Sequence, residues 1–201
     1  MIIDICGTKI RLTFSFVLVL ALMLLTSQQD IVIICLISSL LHELGHIIFM
    51  LIFGVKILSV DMGAFGVCIE SENKTNIPYK KDALIAVGGI LVNFLLAFLA
   101  IMYYYLEKSQ TALIFSVVNI IIASFNCLPV TCLDMGRVLR SCLLTKYDEN
   151  KCHRILNAIS FVFVSLMAVF CLIYSTFIRV NISLIAVTVY LYVITLFKKW
   201  S

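Results

Sequence analysis

Residues 31–54 read IVIICLISSLLHELGHIIFMLIFG, an apolar run that carries a Glu between two His residues near its middle. A helix needs about 20 apolar residues to cross the hydrocarbon core of a bilayer, and this run is long enough. Ionisable side chains at that depth are costly unless they face a polar interior or bind something. The stretch therefore predicts a membrane helix whose ionisable side chains have a function.

The rest of the chain is similarly apolar. Of its 201 residues 63% are hydrophobic and 13% are charged, and the mean hydropathy is +1.13. Soluble domains are only about 45–50% apolar. We expect an all-α polytopic membrane protein with about six transmembrane helices, at residues 12–27, 31–54, 83–106, 111–133, 155–178 and 180–197.

Basic residues flank these runs and predict their orientation. With the N-terminus in the cytoplasm, every Lys and Arg except Lys108 and Arg179 falls on the cytoplasmic side, as the positive-inside rule requires. An even number of spans then puts both termini in the cytoplasm. The net charge of +4 comes from these headgroup anchors, so we expect a lipid bilayer as partner and no nucleic acid.

The segment between the second and third runs, residues 55–81, has a different pattern. Apolar residues alternate with polar ones in 55–60 and 65–70, and residues 61–64, DMGA, offer turn chemistry. Two alternating segments joined by a turn predict a small β-hairpin on, or dipping into, the cytoplasmic face. A plain cytoplasmic loop is the alternative.

The polar group of the second run is an HExxH sequence, from His42 to His46. Residues four apart lie on one face of a helix, so both imidazoles can bind one Zn²⁺ at about 2.0–2.1 Å. Glu43 follows the first ligand and is suited to act as the acid/base on water rather than as a ligand. The alternatives are structural core polar residues and a transporter that binds metal ions or protons there.

A catalytic zinc site normally has three protein ligands, so a third must come from elsewhere in the chain. Asp134 is the candidate, because it follows the fourth run and the predicted orientation gives it the same depth as His46. Pro129 is expected to break that helix shortly before Asp134. Two alternatives stay open: Asp134 as an ordinary helix-end carboxylate near Arg137, and Cys132 as a softer ligand.

Two of these motifs together resemble the site-2 proteases, a family of intramembrane zinc metalloproteases. Members pair HExxH in one membrane helix with an NxxPxxxxDG-type motif in a later one. Here Asn126, Pro129 and Asp134 are similar to the second motif, with Met135 where the family often has Gly. Residues 88–93, GGILVN, look like the family's GPxxN element with Ile in place of Pro.

The resemblance implies a function and a set of site residues. It implies a Zn²⁺ ion bound by His42, His46 and Asp134, with Glu43 catalytic. By the same resemblance, Asn126 helps to hold the substrate or the oxyanion, although a hydrogen bond around the proline break explains Asn126 equally well. The implied activity is hydrolysis of a peptide bond in a membrane-associated protein near the cytoplasmic face.

Chain size and the six-span layout are closest to the branch of that family typified by the stage IV sporulation protein FB. That branch releases a sigma factor from a membrane-associated precursor, which implies regulatory partners in the membrane. It also implies a multi-pass protein of the bacterial cytoplasmic membrane or the outer forespore membrane. We expect residues 1–201 to form a single membrane-embedded metalloprotease domain without a CBS or PDZ domain. The rival interpretation is an ion- or metal-binding membrane carrier, or an inactive scaffold with the same fold.

Overall fold

The computed structural model describes residues 2–5, 8–12, 29–63, 66–71, 77–177 and 182–197. The elements in this part of the chain are, in order, β1 (Ile2–Ile5), β2 (Thr8–Leu12), α1 (Gln29–Ile52), β3 (Ile57–Gly63), β4 (Gly66–Ser71), α2 (Tyr79–Glu107), α3 (Gln110–Asn126), α4 (Asp134–Leu144), α5 (Glu149–Phe177) and α6 (Ile182–Phe197). The described chain is thus mostly helical.

Three of the described helices are long and apolar enough to cross a membrane: α1, α2 and residues 149–174 of α5. The 24 residues of α1 span roughly 36 Å, more than the hydrocarbon thickness of about 30 Å. Large apolar side chains stand exposed along these helices, among them Leu51, Leu95, Phe98 and Phe170. Surfaces of this kind suit contact with lipid. Helix α3 is apolar but shorter, and the predicted first run, 12–27, lies outside the described residues apart from Leu12.

The predicted fourth span, 111–133, is wrong at its end. Helix α3 stops at Asn126, residues 127–133 are not helical, and α4 starts at Asp134. Pro129 explains the break, because it lacks a backbone N–H and disfavours helical geometry in the residue before it. The expected break before Asp134 is thus present, and Asp134 lies in the first turn of a separate short helix.

The strands form one four-stranded sheet in the order β1-β2-β3-β4. Strands β1 and β2 are antiparallel, β2 and β3 are parallel, and β3 and β4 are antiparallel, from Ile57 opposite Ser71 to Gly63 opposite Gly66. The Arg11 guanidinium lies 3.7 Å from the Asp61 carboxylate across β2 and β3. The N-terminal strands were not predicted, so the sheet is larger than the β-hairpin expected from residues 55–81.

The chain divides into two compact units, Met1–Ser124 and Phe125–Ser201. In the first unit, α1 packs along α2, where Ile85 and Ala86 are completely buried. In the second unit, Val130, Val164 and Leu191 form a buried apolar cluster. This cluster joins the non-helical segment 127–133 to helices α5 and α6.

Candidate metal centre

Helix α1 carries the whole HExxH sequence in its second half. The side chains of His42 and His46 are only 5% and 6% exposed, and that of Glu43 is half-buried. Their burial follows from helix periodicity, because residues four apart share one face and that face of α1 is turned toward protein. The predicted pair of imidazoles is thus brought together inside the first unit.

The two imidazoles present the same ring nitrogen to each other. The Nε2 atoms of His42 and His46 are 3.3 Å apart, with the rings nearly perpendicular at 88°. The Nδ1 atom of His46 lies 2.8 Å from the carbonyl oxygen of Ile85 in α2. Since a carbonyl can only accept, Nδ1 carries the proton, and the neutral ring keeps its lone pair on Nε2. This tautomer is the one that binds a metal through Nε2.

The spacing of these nitrogens fits a zinc ion. Two nitrogen ligands at about 2.0–2.1 Å from a tetrahedral Zn²⁺ are about 3.3–3.4 Å from each other. The observed separation of the two Nε2 atoms is 3.3 Å. Metal-binding histidines usually donate a hydrogen bond from the N–H of their other ring nitrogen to a carbonyl or carboxylate. The bond from His46 Nδ1 to the Ile85 carbonyl has that form. The pair is therefore suited to hold two of the ligand positions of one ion.

Close contact of the helix backbones brings Ile85 within reach of His46. At Gly45 of α1, an added Cβ would lie 2.7 Å from the Gly88 carbonyl oxygen and 2.9 Å from the Gly89 Cα atom. Real Cβ atoms do not come that close to backbone, so a larger residue would force the helices apart. The glycines of α1 and α2 thus set the distance at which an α2 carbonyl meets an α1 imidazole.

A buried polar contact lies one helical turn from the His pair. The Asn119 side chain of α3 donates to the Ser38 hydroxyl at 2.9 Å and to the Phe115 carbonyl at 2.8 Å. Ser38 and Asn119 are both completely buried. Asn93 of α2 is also completely buried, and its amide has no hydrogen-bond partner among the described residues. Sequence reasoning noted Asn93 but missed Ser38 and Asn119, although polar residues within apolar runs were the available signal.

The second unit holds the other two predicted site residues at the ends of the 127–133 segment. Asn126 is the last residue of α3, Asp134 the first of α4, and both are half-buried. The alternative ligand Cys132 is a half-buried residue that packs against the cluster around Val130. A thiol in apolar surroundings is less suited to bind a metal than a carboxylate at a helix start.

The 127–133 segment is held in shape by Ser160 of α5. The Thr131 backbone N–H donates to the Ser160 hydroxyl oxygen at 3.0 Å. That hydroxyl in turn donates to the Leu156 carbonyl at 2.8 Å, with the Pro129 carbonyl oxygen at 3.4 Å. At Gly136, one residue beyond the family's usual Gly position, an added Cβ would overlap the Val130 carbonyl oxygen. Neither contact was predicted, because each joins residues that are separate in sequence.

Comparison with known proteins identifies the fold. No protein-family model matches the chain. The solved structure of the site-2 protease from Methanocaldococcus jannaschii matches all of this chain and 95% of its own, with a TM-score of 0.73 and 24% sequence identity. The fold is therefore that of a polytopic site-2 protease.

Two curated relatives extend this match. The chain is 30% identical to stage IV sporulation protein FB of Bacillus subtilis (strain 168) over 140 residues, which is 69% of this chain and 49% of the relative. It is 27% identical to zinc metalloprotease MJ0392 of M. jannaschii over 200 residues, 94% of this chain and 57% of the relative. The chain thus spans about half the length of the curated relatives it matches. It is a membrane protein related to the site-2 proteases, and the resemblance inferred from its motifs is confirmed.

Proposed function

We propose that this chain is an intramembrane zinc metalloprotease that hydrolyses a peptide bond of a membrane-associated protein near the cytoplasmic face. The observation that carries the proposal is the buried pair of His42 and His46, with Nε2 atoms 3.3 Å apart. The pair lies in a helix long and apolar enough to span a bilayer. The names of the relatives, a zinc metalloprotease and a site-2 protease, point to the same chemistry.

Zinc would be held by His42, His46 and Asp134. Two neutral imidazoles and one carboxylate form a donor set typical of catalytic zinc, with a fourth position left open. Asp134 is favoured as the third ligand by its match to the second family motif and by the packing of Cys132 against an apolar cluster. When bound, zinc supplies Lewis-acid activation of a water molecule and of the scissile carbonyl.

The remaining steps belong to protein side chains. The Glu43 carboxylate accepts the proton of the attacking water on one oxygen and then delivers it to the nitrogen of the leaving amine. Asn126, the last residue of α3, uses its amide to hold the substrate backbone or the developing oxyanion. The half-burial of Glu43 keeps the carboxylate in reach of water without releasing it to bulk solvent.

The chain crosses the membrane with the six spans predicted from the sequence, which do not include the short helix α4, and both termini lie in the cytoplasm. Residues 1–201 act as one membrane-embedded protease domain. Charge asymmetry supports this topology, because only Lys108 and Arg179 fall outside. The host membrane is the bacterial cytoplasmic membrane or the outer forespore membrane. The relative named a stage IV sporulation protein favours a sporulation sigma-factor precursor as substrate, with regulatory partners in the membrane.

The rival function is an ion or metal carrier, or an inactive scaffold, built on the same fold. Zinc analysis of purified protein and cleavage of a membrane-tethered candidate substrate separate these functions. Glu43→Gln keeps the side-chain shape but cannot take up a proton, so it should retain zinc and lose cleavage at least a hundredfold, the lower end for a general base. His46→Ala should lose zinc and cleavage together. Normal cleavage by Glu43→Gln would refute the proposed mechanism.

A further inference from the structure

Helix α2 approaches the His pair so closely that Gly89 has no room for a side chain. A Cβ on Gly89 would lie 2.6 Å from His46 Nε2 and 2.7 Å from His42 Cε1. Real Cβ atoms essentially never come within 3.0 Å of a heavy atom outside their own residue and its chain neighbours. Both rings are buried, so neither could swing into solvent to relieve the contact. One added methyl group would therefore displace one ring or both.

The atoms that this methyl group would meet belong to the proposed metal site. One is Nε2 of His46, the ring nitrogen that faces His42 rather than the Ile85 carbonyl. Ile85 and Gly89 are four residues apart on α2, so they lie on the same face one turn from each other. The Ile85 carbonyl fixes the rotation of the His46 ring at 2.8 Å, and Gly89 leaves the space that both rings fill.

We propose that Gly89 is a positioning residue of the metal centre, where the missing side chain sets the separation and orientation of the His42 and His46 imidazoles. This inference rests on the proposed zinc function. Neighbouring Gly88 differs in kind, because its added Cβ would meet the Phe49 ring at 2.8 Å and the Gly45 carbonyl oxygen at 2.9 Å. Gly88 serves the packing of α1 on α2, whereas Gly89 serves the two ligands.

The first test measures zinc affinity of the purified full chain by competition with a chelator, comparing Gly89→Ala with Gly88→Ala. Both variants add one methyl group to the same helix interface, so they match in size and location. Gly89→Ala should weaken zinc binding by about 10- to 100-fold, as changes to groups that orient metal ligands do. It should also change the absorption spectrum of the Co²⁺-substituted protein, which reports ligand geometry. Gly88→Ala should lower the melting temperature by loosening the contact of α1 with α2, and it should weaken zinc binding clearly less than Gly89→Ala, because its methyl group would meet the Phe49 ring and the Gly45 carbonyl oxygen rather than an imidazole.

The second test needs no metal and stays informative if Gly89→Ala folds poorly. In a His42→Ala/His46→Ala background the rings are gone, so Gly89→Ala should lower the melting temperature, or the folded yield, much less than in the native background. Gly88→Ala should have the same effect in both backgrounds. Such a difference is the coupling that a double-mutant cycle measures.

The outcomes separate the inference from the function on which it rests. Wild-type protein that binds no zinc overturns the proposed function. Wild-type protein that binds zinc, together with a Gly89→Ala variant of unchanged affinity and unchanged Co²⁺ spectrum, overturns the positioning role alone. Equal loss of zinc affinity in Gly88→Ala and Gly89→Ala also overturns it, because general loosening of the α1–α2 interface would then be the cause.

Discussion

Ser160→Ala is expected to destabilise the second unit by removing a single oxygen atom. The Ser160 hydroxyl is completely buried and accepts the Thr131 backbone N–H at 3.0 Å. Thr131 is 4% exposed, so water cannot replace the lost acceptor without opening the segment. A buried donor left unsatisfied costs about 1–3 kcal/mol.

This free energy is measurable as a melting temperature in detergent. For a chain of this size, each kcal/mol shifts the melting temperature by about 2–4 °C, so we expect a decrease of roughly 2 to 12 °C. The matched control is Thr195→Val in α6, whose hydroxyl donates to the Leu191 carbonyl in its own helix at 2.7 Å. Loss of that local bond should change stability by less than about 0.5 kcal/mol.

The same variant should also weaken zinc binding, because the 127–133 segment joins Asn126 to Asp134 and Ser160 holds its shape. An unchanged melting temperature in Ser160→Ala, or an equal decrease in Thr195→Val, would refute the reasoning. Normal stability would mean that the Thr131 N–H finds another acceptor at little cost.

Three further predictions concern the ligand set, the polar contact and the topology. Asp134→Asn should lower zinc affinity at least about tenfold, whereas Cys132→Ser should retain zinc; the opposite result would make the thiol the third ligand. A double-mutant cycle of Asn119→Leu with Ser38→Ala should give a coupling of about 0.6 kcal/mol and at most about 1.7 kcal/mol, the average and the maximum for hydrogen bonds between membrane helices. In a background without native cysteines, a cysteine at position 80 should be labelled only from the cytoplasmic side and one at position 108 only from outside; outside labelling at position 80 would overturn the topology.

The sequence predicted the parts of the protein that depend on local spacing. The apolar run around His42 predicted a helix long and apolar enough to cross a membrane, and a separation of four residues placed His42 and His46 on one face of it. Both consequences follow from the geometry of a single helix, which does not depend on what the helix packs against. The family motifs added zinc and protease chemistry, and the structural match confirmed that resemblance at the level of the fold.

The tertiary structure decided what depends on contacts between distant residues. Strand β2 pairs in parallel with β3, although the whole of α1 lies between them in the sequence. Polar and apolar residues alternate in Lys9-Ile10-Arg11-Leu12, but so short an alternation does not show which strand it pairs with. Proline predicted a break, but not that α3 would already end at Asn126. The Ile85 carbonyl, the hydroxyl of Ser160 and the missing side chain of Gly89 carry no sequence signal, because any residue offers a carbonyl and serine and glycine have many uses. Their roles arise only where a second helix lies against them.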